Sequence, residues 1–287
     1  MRLQLVVNPA AGGGRGLRAL PAVRAALAEH DVVVTPTRSL AHADELVGQA
    51  VAAERVAVAV GGDGLVGRVA GVVSALAGVM GVLPGGRGND FCRSVGIPRD
   101  PVAACAVLSS GTPRPVDLGD AGGTPYIGIA SIGFDSEVQE RVLTSRLPLG
   151  QLVYLYGSLA TLARWEHARF SCTVDGAPLE LTGWSVAVAN TGMYGGGMRL
   201  APGASVTDGL LDVVTTAATS RGRFLRSLPK VFAGTHVDEP SVTVVPARTV
   251  VLDADRPFRV FADGDPVATL PCTVTIRPAA LQVLLPP

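Results

Sequence analysis

The chain has 287 residues, enough for one large or two ordinary domains, and its 48% hydrophobic against 17% charged residues exclude a disordered protein. The formal net charge is zero, which argues against nucleic acid as a main partner and against membrane docking by charge alone. The four cysteines and four histidines are scattered, so neither a zinc site nor a disulfide framework is predicted. The opening residues MRLQLVVN predict a strand instead of a signal peptide, and we expect a cytoplasmic protein.

The first third of the chain alternates short apolar runs with helical patterns. Strands are predicted at 3–8, 32–37, 56–60 and 80–84, and helices at 17–30, 41–53, 65–77 and 101–109. This alternation predicts a doubly wound parallel sheet with helices on both faces. Ligands of such sheets lie beyond the carboxyl ends of the strands.

The segment from Leu65 to Leu83 is apolar enough to suggest a membrane span. It carries Arg68 and four glycines, however, and divides into a helix and a strand. A buried helix–strand pair is therefore the stronger interpretation.

After about Val116 the segments become short, alternating or β-branched, and are bounded by Gly, Pro, Asp and Asn. They predict a β-sandwich-like domain, with helices at 149–166 and 221–232. The last apolar run, LQVLLPP, predicts a strand that returns to the first domain. We therefore expect an α/β domain over 1–118, joined by 276–287, and a β-rich domain over 119–275.

The sequence GGDG (Gly61 to Gly64) lies between the strand VAVAV and a helical pattern. Free backbone N–H groups and the positive end of the helix dipole make such a turn a phosphate site, and glycine allows close approach. An aspartate there fits if a divalent cation lies between carboxylate and phosphate. The alternative is that Asp63 is a simple helix cap.

Other motifs accompany GGDG. NPAAGGGRG (8–16) and PGGRGND (84–90) are glycine loops after strands, DGLLDV (208–213) lies in the β-rich part, and FADGD (261–265) is an acidic turn. In this order and spacing, over nearly the whole chain, the sequence resembles the diacylglycerol kinase catalytic family of bacterial lipid kinases. These are kin to sphingosine kinases and, more distantly, to NAD kinases.

The resemblance implies a two-domain lipid kinase with its active cleft between the domains. The α/β domain would bind the nucleotide, and the β-rich domain would bind the lipid acceptor. ATP would donate its γ-phosphate, with Mg²⁺, to a hydroxyl of a diacylglycerol-like acceptor. Asp265 would be the general base, where the family usually has glutamate, and Asp63 a catalytic residue that holds Mg²⁺. A structural Mg²⁺ site would comprise Ser205, Asp208 and Leu210. The nucleotide-contacting residues implied are Asn8, Pro9, Thr37, Gly61, Gly62, Asp63, Gly64, Leu65, Val66, Gly67, Arg87, Gly88 and Asn89. Peripheral membrane contact and a homodimer are left open, and no nucleic-acid partner is expected.

Two residues depart from the family pattern: Leu65 and Arg87 stand where relatives carry threonine, so two hydroxyls that could meet phosphate are missing. Arg87 either turns toward the nucleotide phosphates, or points to solvent, or pairs with Asp90. Without the resemblance, Asp263 and Asp265 would be assigned to a surface turn, since D-G is a common hairpin signal. The same alternative holds for Asp208.

Other functions compete with this one. Gly62, Gly64 and Gly67 match a dinucleotide fingerprint, but no acidic residue ends the next strand, and no Walker A lysine pattern exists. The second glycine-rich signature of NAD kinases is not found in this sequence, which argues against that family. A kinase-like binding protein that has lost catalysis stays an open alternative. On the helix near 150–165, Leu152, Leu155, Tyr156, Leu159 and Leu162 share or adjoin one face, which serves either the core or an acyl-chain groove.

Overall fold

The structure, a computed structural model, describes residues 1–145 and 152–287. The strands are β1 Arg2–Val7, β2 Asp31–Pro36, β3 Val56–Gly61, β4 Val79–Pro84, β5 Thr112–Ala121, β6 Thr124–Tyr126, β7 Ile129–Gly133, β8 Ala168–Val174, β9 Ala177–Ala189, β10 Leu211–Ala217, β11 Val242–Ala247, β12 Thr249–Leu252, β13 Arg259–Ala262, β14 Asp265–Thr269 and β15 Cys272–Leu285. The helices are α1 Arg15–Ala26, α2 Leu40–Ala52, α3 Asp63–Ala75, α4 Asp90–Ser94, α5 Pro101–Ser110, α6 Phe134–Thr144, α7 Leu152–Arg164 and α8 Arg221–Ala233. Short 3₁₀ turns cover Ala11–Gly13 and His236–Asp238.

The N-terminal half contains the predicted parallel sheet. Its strands lie in the order β2-β1-β3-β4, all parallel, so the chain crosses over through the intervening helices. The carboxyl ends of β1, β3 and β4 therefore meet at one edge. The fold-class prediction is confirmed here.

The apolar segment 65–83 forms most of α3 and then β4, as the interpretation of a buried helix–strand pair required. Within the described ranges, no helix is both long and apolar enough to cross a membrane.

The long final strand β15 belongs to both halves. Gln282 and Val283 pair in parallel with β4, while most of the strand pairs antiparallel with β5. The register shifts between Arg277 and Leu281, which marks a bulge where the strand passes from one half to the other.

The C-terminal half is built on antiparallel pairs, in the order β14-β13-β7-β9-β8-β12-β15, and β10 and β11 extend from β9. The buried apolar side chains form one large core around β1, β3, β4 and α3, a second around β7, β8, β9 and β12, and a small third cluster that includes Leu200 and Val214. This matches the predicted sandwich-like region.

Two helices escaped prediction. In the β-rich region predicted after about Val116, β7 ends at Gly133 (φ 95°), and α6, a helix that was not predicted, begins at Phe134. Gly133 adopts a positive φ, which favours glycine, between the strand and the helix, and the apolar pattern does not signal this change. The five-residue α4 was missed because it spans little more than one turn. The predicted helix 149–166 is observed as α7, and its residues 149–151 lie outside the described part.

Candidate active site

Three glycine-rich segments meet at the carboxyl edge of the parallel sheet. The N–H groups of Gly85 and Gly86 both donate to the carbonyl of Gly61, at 2.7 and 3.0 Å. A β-carbon on Gly86 would lie 2.3 Å from the Cα of Gly62, and one on Gly12 would lie 2.4 Å from the carbonyl oxygen of Gly85. Backbone thus packs on backbone, which only glycine permits.

This packing surrounds the N-terminus of α3. No side chain caps the helix at Gly62, so its first-turn N–H groups and the positive end of its dipole face the glycine loops. Helix α1 likewise begins after Gly14, with φ 83° and no side-chain cap. The arrangement suits a phosphate chain, as the GGDG motif predicted.

The two large apolar residues among those predicted to contact the nucleotide have buried side chains. Leu65 and Val66 are buried in the N-terminal core. Leu65 packs against Gly61, where an added β-carbon would meet its Cδ2 at 2.9 Å. Only their main chain is left to contact a nucleotide, because both side chains belong to the core.

The predicted residues at the ends of β1 and β2 also lie at this edge. The N–H of Asn8 donates to the Val60 carbonyl, and its side-chain oxygen accepts from Ala10. Pro9 follows it directly, and the N–H of Thr37 donates to the Val7 carbonyl. These contacts hold the ends of both strands beside the glycine loops.

Asp63 caps a helix other than its own. Its Oδ1 accepts from the N–H groups of Asp90 at 2.6 Å and Phe91 at 3.2 Å, at the start of α4. A β-carbon added to Gly88 would lie 2.9 Å from both Asp63 Oδ2 and an Asp90 carboxylate oxygen. The glycine therefore leaves room between two carboxylates.

Asp90 is buried, and the sequence assigned it no role in the site. Its Oδ2 accepts from the N–H of Gly196 at 2.8 Å, while its Oδ1 accepts no hydrogen bond from the described residues and lies 3.9 Å from Arg93 Nε. Burial raises the pKa of its carboxyl, and the charge of Asp63 adds to the rise. The signal that could have marked Asp90 is its place directly after the glycine loop, in GND.

The acidic turn of the C-terminal half brings Asp263 to this region. Its carboxylate accepts from the N–H groups of Ile127 at 2.9 Å and Gly128 at 2.8 Å, and it packs on α3 where Gly67 leaves room. Burial raises the pKa of Asp263 to about 6, opposed by these hydrogen bonds and reinforced by the charge of Asp63. Asp263 thus links the acidic turn to α3 and to the segment before β7, at a position that the sequence alone assigns to a surface turn.

Asp265, the predicted base, lies two residues further along at the start of β14 and is exposed. Its carboxylate accepts no hydrogen bond from the described residues. Desolvation raises its pKa, and the positive charge of Arg68 on α3 opposes the rise.

The loop before α4 contains the remaining predicted residues. The buried side chain of Asn89 holds the loop closed, accepting from the N–H of Gly86 and donating to its carbonyl. Arg87 is exposed and forms no hydrogen bond or ion pair with the described part of the chain. The predicted alternative of a pair with Asp90 is not observed, since Arg93 takes that place.

Ser205, Asp208 and Leu210, the predicted metal residues, share one tight loop. Asp208 Oδ1 accepts from the N–H of Leu210, and the hydroxyl of Ser205 bonds to Thr207. Buried Asp117 secures the loop by accepting from the N–H of Gly209. No cluster of three or more His, Cys, Asp or Glu suited to a metal occurs among the described residues. A hydroxyl, a carboxylate and a main-chain carbonyl are the oxygen ligands that Mg²⁺ prefers, and the assignment of a metal to this loop stays a prediction.

The predicted apolar face of α7 is divided. Leu162 is buried, whereas Leu155, Tyr156 and Leu159 are exposed. The side chain of Leu152 lies outside the described part. An acyl-chain groove on this helix stays a prediction.

A doubly wound half with an uncapped helix terminus among glycine loops, joined to a β-sandwich-like half whose Asp263 packs on that helix, is an architecture suited to binding phosphate groups at the sheet edge. Residues 2–121 match the family model "Diacylglycerol kinase catalytic domain", and residues 128–285 match "YegS C-terminal NAD kinase beta sandwich-like domain". The chain belongs to the diacylglycerol kinase family of lipid kinases.

Individual relatives agree. The chain is 36% identical to a diacylglycerol kinase of Mycobacterium tuberculosis over 99% of its length and 95% of that protein. It is 29% identical to a probable YegS-like lipid kinase of Pseudomonas aeruginosa, over 99% and 94% of the two chains. A crystal structure of a putative diacylglycerol kinase from Bacillus anthracis covers all of this chain and 95% of its own, with a TM-score of 0.83 at 23% identity, which supports the fold.

Proposed function

We propose that this protein transfers the γ-phosphate of ATP, with Mg²⁺, to a hydroxyl of a diacylglycerol-like acceptor. The observation that carries the proposal is the meeting of the uncapped α3 terminus with carboxylates from both halves of the chain. Asp63 comes from the α/β half, and Asp263 reaches α3 from the β-rich half. Phosphoryl transfer requires a positioned donor, a cation and an oriented hydroxyl, with little covalent work by the protein.

The glycine loops supply the donor site. Main-chain N–H groups of α3 would bind phosphate oxygens directly, because neither Leu65 nor Arg87 offers a hydroxyl. Arg87 is exposed at the edge of the same loops and has no partner among the described residues, so its guanidinium is free to grip two phosphate oxygens. We assign it the role of replacing the missing threonines.

The cation sites follow from the oxygen donors. Asp63 Oδ2 and the Asp90 carboxylate on either side of Gly88 would hold the Mg²⁺ that accompanies ATP, and this ion would neutralise charge on the transferring phosphate. The loop of Ser205, Asp208 and Leu210 would hold a structural Mg²⁺. Its attachment to Asp117 would secure β5 to the C-terminal half.

The two carboxylates of the acidic turn take different roles. Both oxygens of Asp263 already accept backbone N–H groups, so this residue positions the turn on α3. The carboxylate of Asp265 is free to accept the proton of the acceptor hydroxyl as that hydroxyl attacks the phosphate. Desolvation raises its pKa, which makes it a stronger base.

The test is phosphate transfer by the purified protein from ATP in the presence of Mg²⁺. The acceptor panel comprises diacylglycerol, sphingoid bases, other lipid alcohols and water-soluble alcohols. We expect transfer to diacylglycerol to exceed transfer to the water-soluble alcohols. Failure to bind any nucleoside triphosphate with Mg²⁺ would overturn the proposal. Tight binding without transfer to any acceptor would instead establish a binding protein that has lost catalysis.

A further inference from the structure

Helix α8 (Arg221–Ala233) lies on the surface of the C-terminal half, and none of its residues is buried. Its inner face is nevertheless anchored. Phe224 stacks on Trp184 with ring centroids 3.9 Å apart, and Phe224 also meets Phe134 edge to face. The helix is therefore firmly seated while most of its circumference faces solvent.

The exposed side carries a stripe of large apolar side chains. Leu225, Leu228 and Phe232 are 44%, 37% and 55% exposed. Their spacing of three and four residues places them on one side of the helix. A surface that only faces water has no need of three such neighbours in one helix, and apolar stripes of this kind mark an interaction site.

The charge of the helix selects the partner. It contains Arg221, Arg223, Arg226 and Lys230, and no acidic residue. Lys230 pairs with Glu239, and Arg221 donates to the carbonyl of Trp165.

The guanidinium groups of Arg223 and Arg226 form no hydrogen bond or ion pair with any described residue, although Glu239 lies within electrostatic reach of Arg223. The adjoining 3₁₀ turn adds the exposed Asp238. A helix with apolar residues on one side and unpaired arginines on the other fits the interface of an anionic bilayer. A second copy of the chain would set the same arginines against each other.

Hydrogen bonds of one loop also link the helix to the candidate active site. The carbonyl of Val231 accepts from the N–H of Arg199 at 2.9 Å, and three residues earlier the N–H of Gly196 donates to Asp90 at 2.8 Å. One short loop thus connects α8 to the carboxylates beside the glycine loops. A bilayer bound at α8 would therefore contact a helix that this loop joins to Asp90.

We propose that α8 docks this protein on an anionic lipid surface, with Leu225, Leu228 and Phe232 inserted among the lipids and Arg223 and Arg226 at the headgroups. A neutral overall charge is compatible with this, because insertion of the apolar stripe and local charge act together. Docking as such is independent of the proposed kinase activity. Only its use for presenting the acceptor rests on that activity.

The experiment is sedimentation of the full chain with vesicles of phosphatidylcholine alone or with part replaced by phosphatidylglycerol. We expect binding to the anionic vesicles that weakens with salt. Phe232→Ser should weaken it about tenfold, and Arg226→Glu about fivefold or more. The matched controls Leu76→Ser and Arg114→Glu change exposed residues of the other half and should bind as the wild type does. All four side chains are exposed, and thermal unfolding verifies that each variant folds.

Equal binding to neutral and anionic vesicles, no binding to either, or wild-type binding by both α8 variants would each overturn the proposal. A change in oligomeric state on sedimentation velocity, without vesicle binding, would make the stripe an interface between copies and also overturn it. Turnover is measured on a dispersed short-chain diacylglycerol and on diacylglycerol in vesicles. The α8 variants should lose only the second activity. If the wild type phosphorylates neither acceptor, the kinase proposal fails while the vesicle result still stands.

Discussion

Replacing Asp63 by asparagine or alanine separates its two roles. The asparagine side chain would keep an oxygen for the N–H groups of Asp90 and Phe91, at 2.6 and 3.2 Å, so the cap of α4 survives while the charge is lost. Alanine removes the cap as well, which costs about 1 kcal/mol, or about 2 °C in Tm for a chain of this size. We expect Asp63→Asn to retain the wild-type Tm within about 1 °C, and both variants to lose turnover by about a hundredfold or more, since a charged oxygen facing Mg²⁺ is missing in each.

The assay pairs thermal unfolding with steady-state transfer from ATP over a range of Mg²⁺ concentrations. A defect of metal binding should shrink as Mg²⁺ increases, whereas a folding defect should not respond. Wild-type turnover by Asp63→Asn would refute the assignment of this carboxylate to the cation. A Tm loss in Asp63→Asn equal to that in Asp63→Ala would refute the cap-preserving geometry.

Four further predictions concern the loops and the acidic turn. Arg87→Ala should weaken ATP binding about ten- to a hundredfold and Arg87→Lys should recover part of it, because a forked contact to phosphate is worth roughly 1.5–3 kcal/mol; equal affinities in nucleotide titrations would show that the guanidinium does not touch the phosphates. Asp265→Asn should lower turnover and leave ATP affinity nearly unchanged, and wild-type turnover at saturating acceptor would remove it as the base. Gly86→Ala should lower the free energy of unfolding by about 1–3 kcal/mol and impair ATP binding, because its β-carbon would lie 2.3 Å from the Cα of Gly62. An unchanged free energy of unfolding in denaturant titrations would contradict this packing. The pKa of Asp263 rises from 3.8 to about 6 on folding, so the native state binds the extra proton and the free energy of unfolding falls as the pH rises through about 4 to 6. Asp263→Asn should flatten this pH dependence of stability, and an identical slope in the two proteins would argue against the shift.

Several features were predictable because they depend on neighbours in the chain. The run VAVAV and the helical spacing after it predicted β3, α3 and the turn between them, and α3 and β4 replaced the suggested membrane span. The order of the motifs predicted the family that the relatives confirm. The capacity of a GG-containing turn to bind phosphate could also be predicted, because the glycines and the helix terminus belong to one short segment of the chain.

The partners of the carboxylates were not predictable in this way. One of the two sequence-based interpretations made Asp63 a cap of its own helix, but its oxygen caps α4, 27 residues further along. In the acidic turn, Asp265 was predicted to be the general base and Asp263 was assigned only to a surface turn. In the structure, Asp263 accepts from the N–H of Ile127 and packs on α3. Such contacts depend on how the two halves pack, and no short pattern records which of two carboxylates turns inward.

The sequence by itself determined the alternation of strands and helices, the glycine loops at one sheet edge and the family. These follow from periodicity, backbone freedom and spacing, which act over a few residues. The tertiary structure alone decided that Asp90 is buried beside Asp63, that Leu65 is buried in the core while Arg87 is exposed, and that α8 leaves an apolar stripe uncovered. The burial of a side chain and the environment of a charge depend on contacts with many residues that are far away in the sequence. These contacts form only when the β-rich half packs against the parallel sheet.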